Sequence, residues 1–158
     1  MNDLLMLVLL TLAPFLELRA SIPYGIFKTD MHWTTVFLIC VIVNILLAPI
    51  IYVFLDKFIH LFLRIKVIDK VYQKYVEKTQ KKIHKMVEKY GELGVAIFIG
   101  IPLPGSGVYS GALGSYLLGL SYKKFFIAAV IGVLIAGIAV TIVSLTGAEA
   151  LSIFIKSI

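Results

Sequence analysis

Two apolar stretches of this chain are interrupted where a membrane-length helix would have to run, and nothing else in the sequence constrains the fold as strongly. One interruption lies around residues 17–23, the other around residues 102–111. In the second, Pro102-Leu103-Pro104-Gly105-Ser106-Gly107 removes two backbone donors and pushes Ile101 and Leu103 out of the helical region. In the first, Pro14 is followed by Glu17, Arg19 and then Pro23-Tyr24-Gly25. The arms on either side run only about 10–15 residues, or roughly 15–22 Å of helix, too short to cross a bilayer alone. Each interrupted stretch is therefore either a broken helix that crosses or a hairpin that dips in and returns.

Composition supplies the setting. Of 158 residues, 60% are hydrophobic and the mean hydropathy is +0.99, whereas soluble domains run about 45–50% apolar. Four apolar regions stand out, at residues 4–27, 33–55, 93–120 and 125–145. The second and fourth carry no charge and are long enough to cross, with Trp33 and Tyr52 suited to the interfaces. Pro49 is expected to kink the second, and Asn44 to donate a hydrogen bond between helices. At the N-terminus Asp3 stands where a leader peptide has basic residues, so residues 4–28 are read as mature structure.

Charge distribution argues for hairpins. Ten of the fifteen Lys and Arg residues lie between Lys57 and Lys89, so the net charge of +6 reads as a cytoplasmic loop and not as a nucleic-acid surface. If residues 93–120 form a hairpin, Lys123 and Lys124 fall on the side of that loop; if they cross, the pair falls outside. The first hairpin then enters from the opposite face. Residues 13–25 plus a span match residues 100–112 plus a span, with Pro14 and Pro102 in corresponding places. Such paired interruptions in an inverted-topology repeat point to a transport site.

The expectation is a single all-α integral membrane domain over residues 1–158. It comprises a re-entrant hairpin at 4–28, a transmembrane helix at 33–56, a basic cytoplasmic or interfacial region at 57–92, a second re-entrant hairpin at 93–120 and a transmembrane helix at 121–147. Within the basic region Tyr72, Val76, Thr79, Ile83, Met86 and Tyr90 form a helical stripe. An amphipathic helix over residues 69–90, lying on anionic lipid, is the expected reading.

Glu17 and Arg19 are the charges set inside an apolar region, and ionisable groups there are functional candidates. Residues two apart share a face only in extended chain, so a direct pair implies a non-helical tip. The plainer alternative is an ion pair that merely holds the turn. Gly105, Ser106 and Gly107 offer backbone N–H groups for an anion, or else simply let a turn pack closely. Pro14, Pro23, Pro102, Pro104, Asn44, Tyr24 and Tyr109 are supporting positions. Gly107, Gly111 and Ser115, like Ala128, Gly132 and Ala136, read as packing faces. His32, His60, His84 and Cys40 are dispersed, which argues against a metal, a disulfide framework or a cofactor. A serine protease centred on Ser106 would lack a general base, since no histidine lies inside an apolar segment, so no enzymatic activity is expected.

Residues 14–23, Pro-Phe-Leu-Glu-Leu-Arg-Ala-Ser-Ile-Pro, and residues 101–107, Ile-Pro-Leu-Pro-Gly-Ser-Gly, resemble the two signature segments of the small multidrug export protein family. That family is similar to the wider DedA and VTT-domain (SNARE-associated Golgi protein) membrane superfamily. The resemblance implies two facing re-entrant hairpins in the cytoplasmic (inner) membrane and a role in export or lipid translocation. On that resemblance Glu17 and Arg19 would handle protons or phosphate. DedA relatives carry an arginine three residues after the second hairpin's proline. Gly105 stands there, so a second Arg19 would come from a homo-oligomer. Three functions follow as expectations: a flippase for an anionic lipid phosphate, a proton-coupled exporter of small cationic compounds, or a scaffold acting through residues 69–90.

Overall fold

The computed structural model describes residues 2–62, 84, 87, 90, 93–103 and 105–156. All regular structure among them is helical: α1 Asp3–Leu12, α2 Glu17–Lys28, α3 Trp33–Phe62, α4 Leu93–Gly100, α5 Val108–Leu117 and α6 Tyr122–Lys156. The expected helix over residues 69–90 lies almost wholly outside the described residues, as does Pro104. His84, Val87 and Tyr90 are helical, and Val87 packs on the core.

Local chemistry sets the helix ends. The Asn2 side chain accepts from the Leu4 amide and Asp3 sits in the first turn of α1, both favourable at a helix N-terminus. Ala13 is extended (φ −70°, ψ 126°) because Pro14 follows it. Phe15 (φ 70°) and Glu17 (φ 44°) then take left-handed conformations, unusual for residues with a side chain. The chain turns back so sharply that Leu7 of α1 closes on Gly25 of α2, with its Cδ2 3.0 Å from where a Cβ would stand. The second interruption reverses in the same way: Gly111 of α5 has no room for a side chain beside Ile99 of α4.

The first interruption therefore falls on residues 13–16, ahead of the expected 17–23. Pro23, Tyr24 and Gly25 lie within α2. A proline there costs the helix the bond from residue 23 to the Arg19 carbonyl, but α2 is held by α1, α3 and α6 packed around it. Pro49 is likewise inside α3.

The long helices cross each other and carry the hairpins. α1 packs on α2 and α4 on α5; α1 and α2 pack on α3, and α4 and α5 on α6. Each hairpin's second arm also packs on the other half's long helix, α2 on α6 and α5 on α3. Val36, Cys40, Val41, Asn44, Leu47 and Ala48 form the buried face of α3; Phe125, Ala128, Ala129, Val133, Ala136 and Val140 form that of α6. Both spacings are helical. The opposite faces are equally apolar but exposed, with Leu38, Ile42, Leu46 and Ile50 on α3 and Ile127, Ile135, Ile138 and Ile142 on α6. Continuous apolar stripes of this size suit hydrocarbon and not water. Trp33–Phe58 and Tyr122–Gly147, 26 residues each, are long enough to cross. At one end Tyr52 of α3 stacks on Phe125 (centroids 5.0 Å apart) and donates its hydroxyl to the Leu120 carbonyl, tying α3 to the α5–α6 turn.

Gly132 is where α6 comes closest to α4. A Cβ there would lie 2.7 Å from the Ala96 carbonyl oxygen and 2.7 Å from Ile99 Cβ, neither of which moves cheaply. Gly132→Ala is expected to destabilise the detergent-solubilised protein by about 1–3 kcal/mol. Gly147→Ala, in open space on the same helix, is expected to be neutral or stabilising by up to about 1 kcal/mol. Thermal unfolding midpoints compare the two, and equal midpoints would show that α4 and α6 are not in close contact.

Candidate functional site

The tips of the two hairpins meet, and charged groups of the first satisfy the backbone of the second. Glu17 opens α2 with its side chain turned toward the start of α5. Its Oε2 accepts from the Val108 amide at 3.0 Å and its Oε1 from the Tyr109 amide at 3.4 Å. These are the first two amides of a helix, which have no intrahelical acceptor and carry its positive dipole end. Asn44 of α3 reaches the same carboxylate, Nδ2 to Oε2, at a long 3.5 Å. Arg19 turns the other way: its Nη2 donates to the Ile101 carbonyl (3.1 Å), just past the end of α4, and to Ser106 Oγ (2.9 Å). The Ser106 hydroxyl shares its proton between the Ile101 and Leu103 carbonyls, at 2.6 and 2.7 Å.

One carboxylate thus sits on the amide end of α5 while one guanidinium sits on the carbonyl end of α4. The two charges are 3.8 Å apart, Arg19 Nη1 to Glu17 Oε2. The contact is possible between residues two apart because Glu17, the first residue of α2, has a left-handed φ. The tie is reciprocal: the Tyr109 hydroxyl of α5 donates to the Leu12 carbonyl, the last residue of α1. Glu17 is deeply buried, with its side chain 4% exposed, while Arg19 keeps 14%. Arg19 Nε and Asn44 Oδ1 are buried without hydrogen-bond partners.

The structure thus brings Glu17, Arg19, Ser106, Asn44 and Tyr109 into one junction. Gly107 borders it, and its part is steric: a Cβ there would overlap the Glu17 carboxylate. Gly105 makes the turn with φ +79° and open space around it. The amides that hold an anion are those of Val108 and Tyr109, one step beyond the expected glycine nest. Pro14 and Pro102 shape the two breaks. Pro23 and Tyr24 lie further along α2, where Tyr24 packs on the core. Sequence reasoning missed the carbonyls of Leu12 and Ile101, although a helix ending just before a proline always leaves such acceptors. It also missed a buried polar cluster in which the hydroxyls of Thr11 and Ser21 face the Cys40 thiol.

Fold and junction together define a membrane protein, helical in the regular structure of its described residues, whose two helical hairpins meet through the Glu17–Arg19 pair. A family model described as "Putative small multi-drug export protein" matches residues 17–139, and the chain belongs to that family. No curated protein and no solved structure matches it.

Removing the carboxylate leaves a largely buried cation without its counter-charge and two helix amides without acceptors. Glu17→Ala is therefore expected to cost about 3–5 kcal/mol, and Glu17→Gln, which keeps one acceptor oxygen, distinctly less. Detergent unfolding midpoints measure both, and a Glu17→Ala midpoint equal to wild type would show that the junction does not hold the hairpins together.

Proposed function

We propose that the chain is a membrane transporter that moves an amphipathic anionic substrate, of lipid-phosphate type, between leaflets, with the hairpin junction as its binding site. The observation that carries this reading is the unequal accessibility of the charged pair. Arg19 is the more exposed member, its Nε has no partner, and a guanidinium in a low-dielectric site is suited to phosphate or carboxylate. Exposed Leu12, Phe15, Leu16 and Leu103 surround the tips, which suits a substrate with a hydrocarbon tail. Family membership supports transport in general, and the resemblance to DedA proteins supports lipid phosphate in particular.

The proposal includes a re-entrant inverted repeat. Exchanging α1 with α4, α2 with α5 and α3 with α6 maps every packing relation described above onto another of them. Hairpins entering from opposite leaflets would produce this pattern, with the junction near the bilayer midplane and residues 57–92 on the cytoplasmic face. A second copy of the chain would bring a second Arg19.

The alternative is a proton-coupled exporter of small cationic compounds with Glu17 as the substrate and proton site, which the family description favours. Liposomes separate the two. Leaflet exchange of a fluorescent polyprenyl phosphate should require the purified protein and fall at least about tenfold in Arg19→Ala. Exchange unaffected by Arg19→Ala, together with drug efflux lost in Glu17→Gln, would favour the exporter.

A further inference from the structure

The Glu17 carboxylate occupies the place where a substrate anion would have to bind. The first amides of a helix beside a guanidinium make a general oxyanion site, and here the protein supplies the oxyanion itself. Both Glu17 oxygens take α5 amides, from Val108 and Tyr109, with Arg19 Nη1 3.8 Å away. A Cβ at Gly107 would overlap that carboxylate, so the bare glycine is what lets an oxyanion reach these amides. Two further observations mark the site as unsaturated. Arg19 Nε is a buried donor with no acceptor, and fully buried Asn44 has an Oδ1 with no donor, although its Nδ2 reaches Glu17. An ionised Glu17 has no use for a neighbouring acceptor. A protonated one does.

We propose that Glu17 is a tethered stand-in for the substrate's anionic headgroup. An incoming phosphate- or sulfonate-type anion takes the Val108 and Tyr109 amides and Arg19; Glu17 leaves them by taking up and keeping a proton from solution, and its new O–H donates a hydrogen bond to Asn44 Oδ1. This rests on reading the junction as an anion site, and it makes anion binding and proton uptake one linked event. For a singly charged headgroup, charge balances in both states. Glu17 and Arg19 sum to zero before, and Arg19 with the bound anion sums to zero after, so no uncompensated charge is left in the hydrocarbon. Arg19 is the charged group facing Glu17, alongside the neutral Asn44 amide from α3 and two backbone amides from α5; the Tyr109 hydroxyl is turned to Leu12. The charges of α1 and α6 lie at their ends, at Asp3 on one and at Lys123, Lys124, Glu149 and Lys156 on the other.

The sign of the linkage follows. Anion binding requires the protonated form of Glu17, so affinity rises as pH falls, by up to about tenfold per pH unit. Decanesulfonate is a suitable probe because its headgroup stays a monoanion between about pH 5 and pH 8. Binding is measured by calorimetry on the full chain in phosphatidylcholine nanodiscs. Wild type should bind more tightly as pH falls. Glu17→Gln should bind at least about tenfold more tightly than wild type at neutral pH, with no pH dependence, and Arg19→Gln should not bind. Wild-type binding that is flat with pH overturns the proposal, as does Glu17→Gln binding no tighter than wild type at neutral pH. If Arg19→Gln still abolishes binding in those cases, the anion-site reading stands and the competition alone fails. No decanesulfonate binding in any variant overturns both. Should Glu17→Gln fail to fold, the wild-type pH series decides alone.

Discussion

Every helix that stops inside hydrocarbon leaves backbone amides or carbonyls without partners, and no water is present to take them. This chain breaks its helices at two places within the packed structure, and the junction between the hairpins is how those ends are satisfied. Glu17 takes the amides at the start of α5, Arg19 and Ser106 take carbonyls beyond the end of α4, and Tyr109 takes the last carbonyl of α1. Each hairpin tip is completed by the other. The closing of the tips and the packing of α2 on α6 and α5 on α3 therefore act together.

The economy of the arrangement lies in its neutrality. A lone buried carboxylate or guanidinium would be costly, yet the pair contributes two opposite charges, each placed on the helix end of complementary polarity. The second hairpin therefore needs no charge of its own. Its part is played by backbone and by the hydroxyls of Ser106 and Tyr109, and Gly107 keeps the approach open for a carboxylate from the other half. The inequality between the two interruptions, plain in the sequence, is a division of labour in the structure.

Much of this could be read from the residues, and the failures have physical causes. Pro14 and the Pro102–Gly107 run imply breaks wherever an X-Pro bond disfavours helix, and Ala13 adopts the extended geometry expected before proline. The uncharged, mostly apolar stretches at residues 33–55 and 125–145 lie in the two long helices. The first break lies ahead of Pro23, which ordinarily breaks a helix, because packing on three neighbours carries α2 through it. The i, i+2 spacing of Glu17 and Arg19 rightly implied non-helical backbone, but only at Glu17 itself and through a left-handed φ that no residue type announces. The glycine nest was one step off because Gly107 serves by its lack of a side chain and not by its amide. Partners 82 to 92 residues apart in sequence, such as Arg19 with Ile101 or Glu17 with Tyr109, are beyond any local pattern.

Structural and functional readings of the charged pair are usually set against each other. Here they describe the same atoms. On the proposed reading, a carboxylate that closes the junction by holding α5's amides is, for that reason, the group an incoming anion replaces. The contacts that stabilise the resting state are then the contacts that substrate must reproduce. Stability and transport would draw on one set of interactions, so a substitution that loosens the junction without removing Arg19 should ease anion binding while weakening the fold. A purely structural ion pair lacks that opposition: loosening it would weaken the fold and bring nothing in return. Arg19's partnerless Nε and Asn44's partnerless Oδ1 are the two polar atoms of the junction left over for such an exchange.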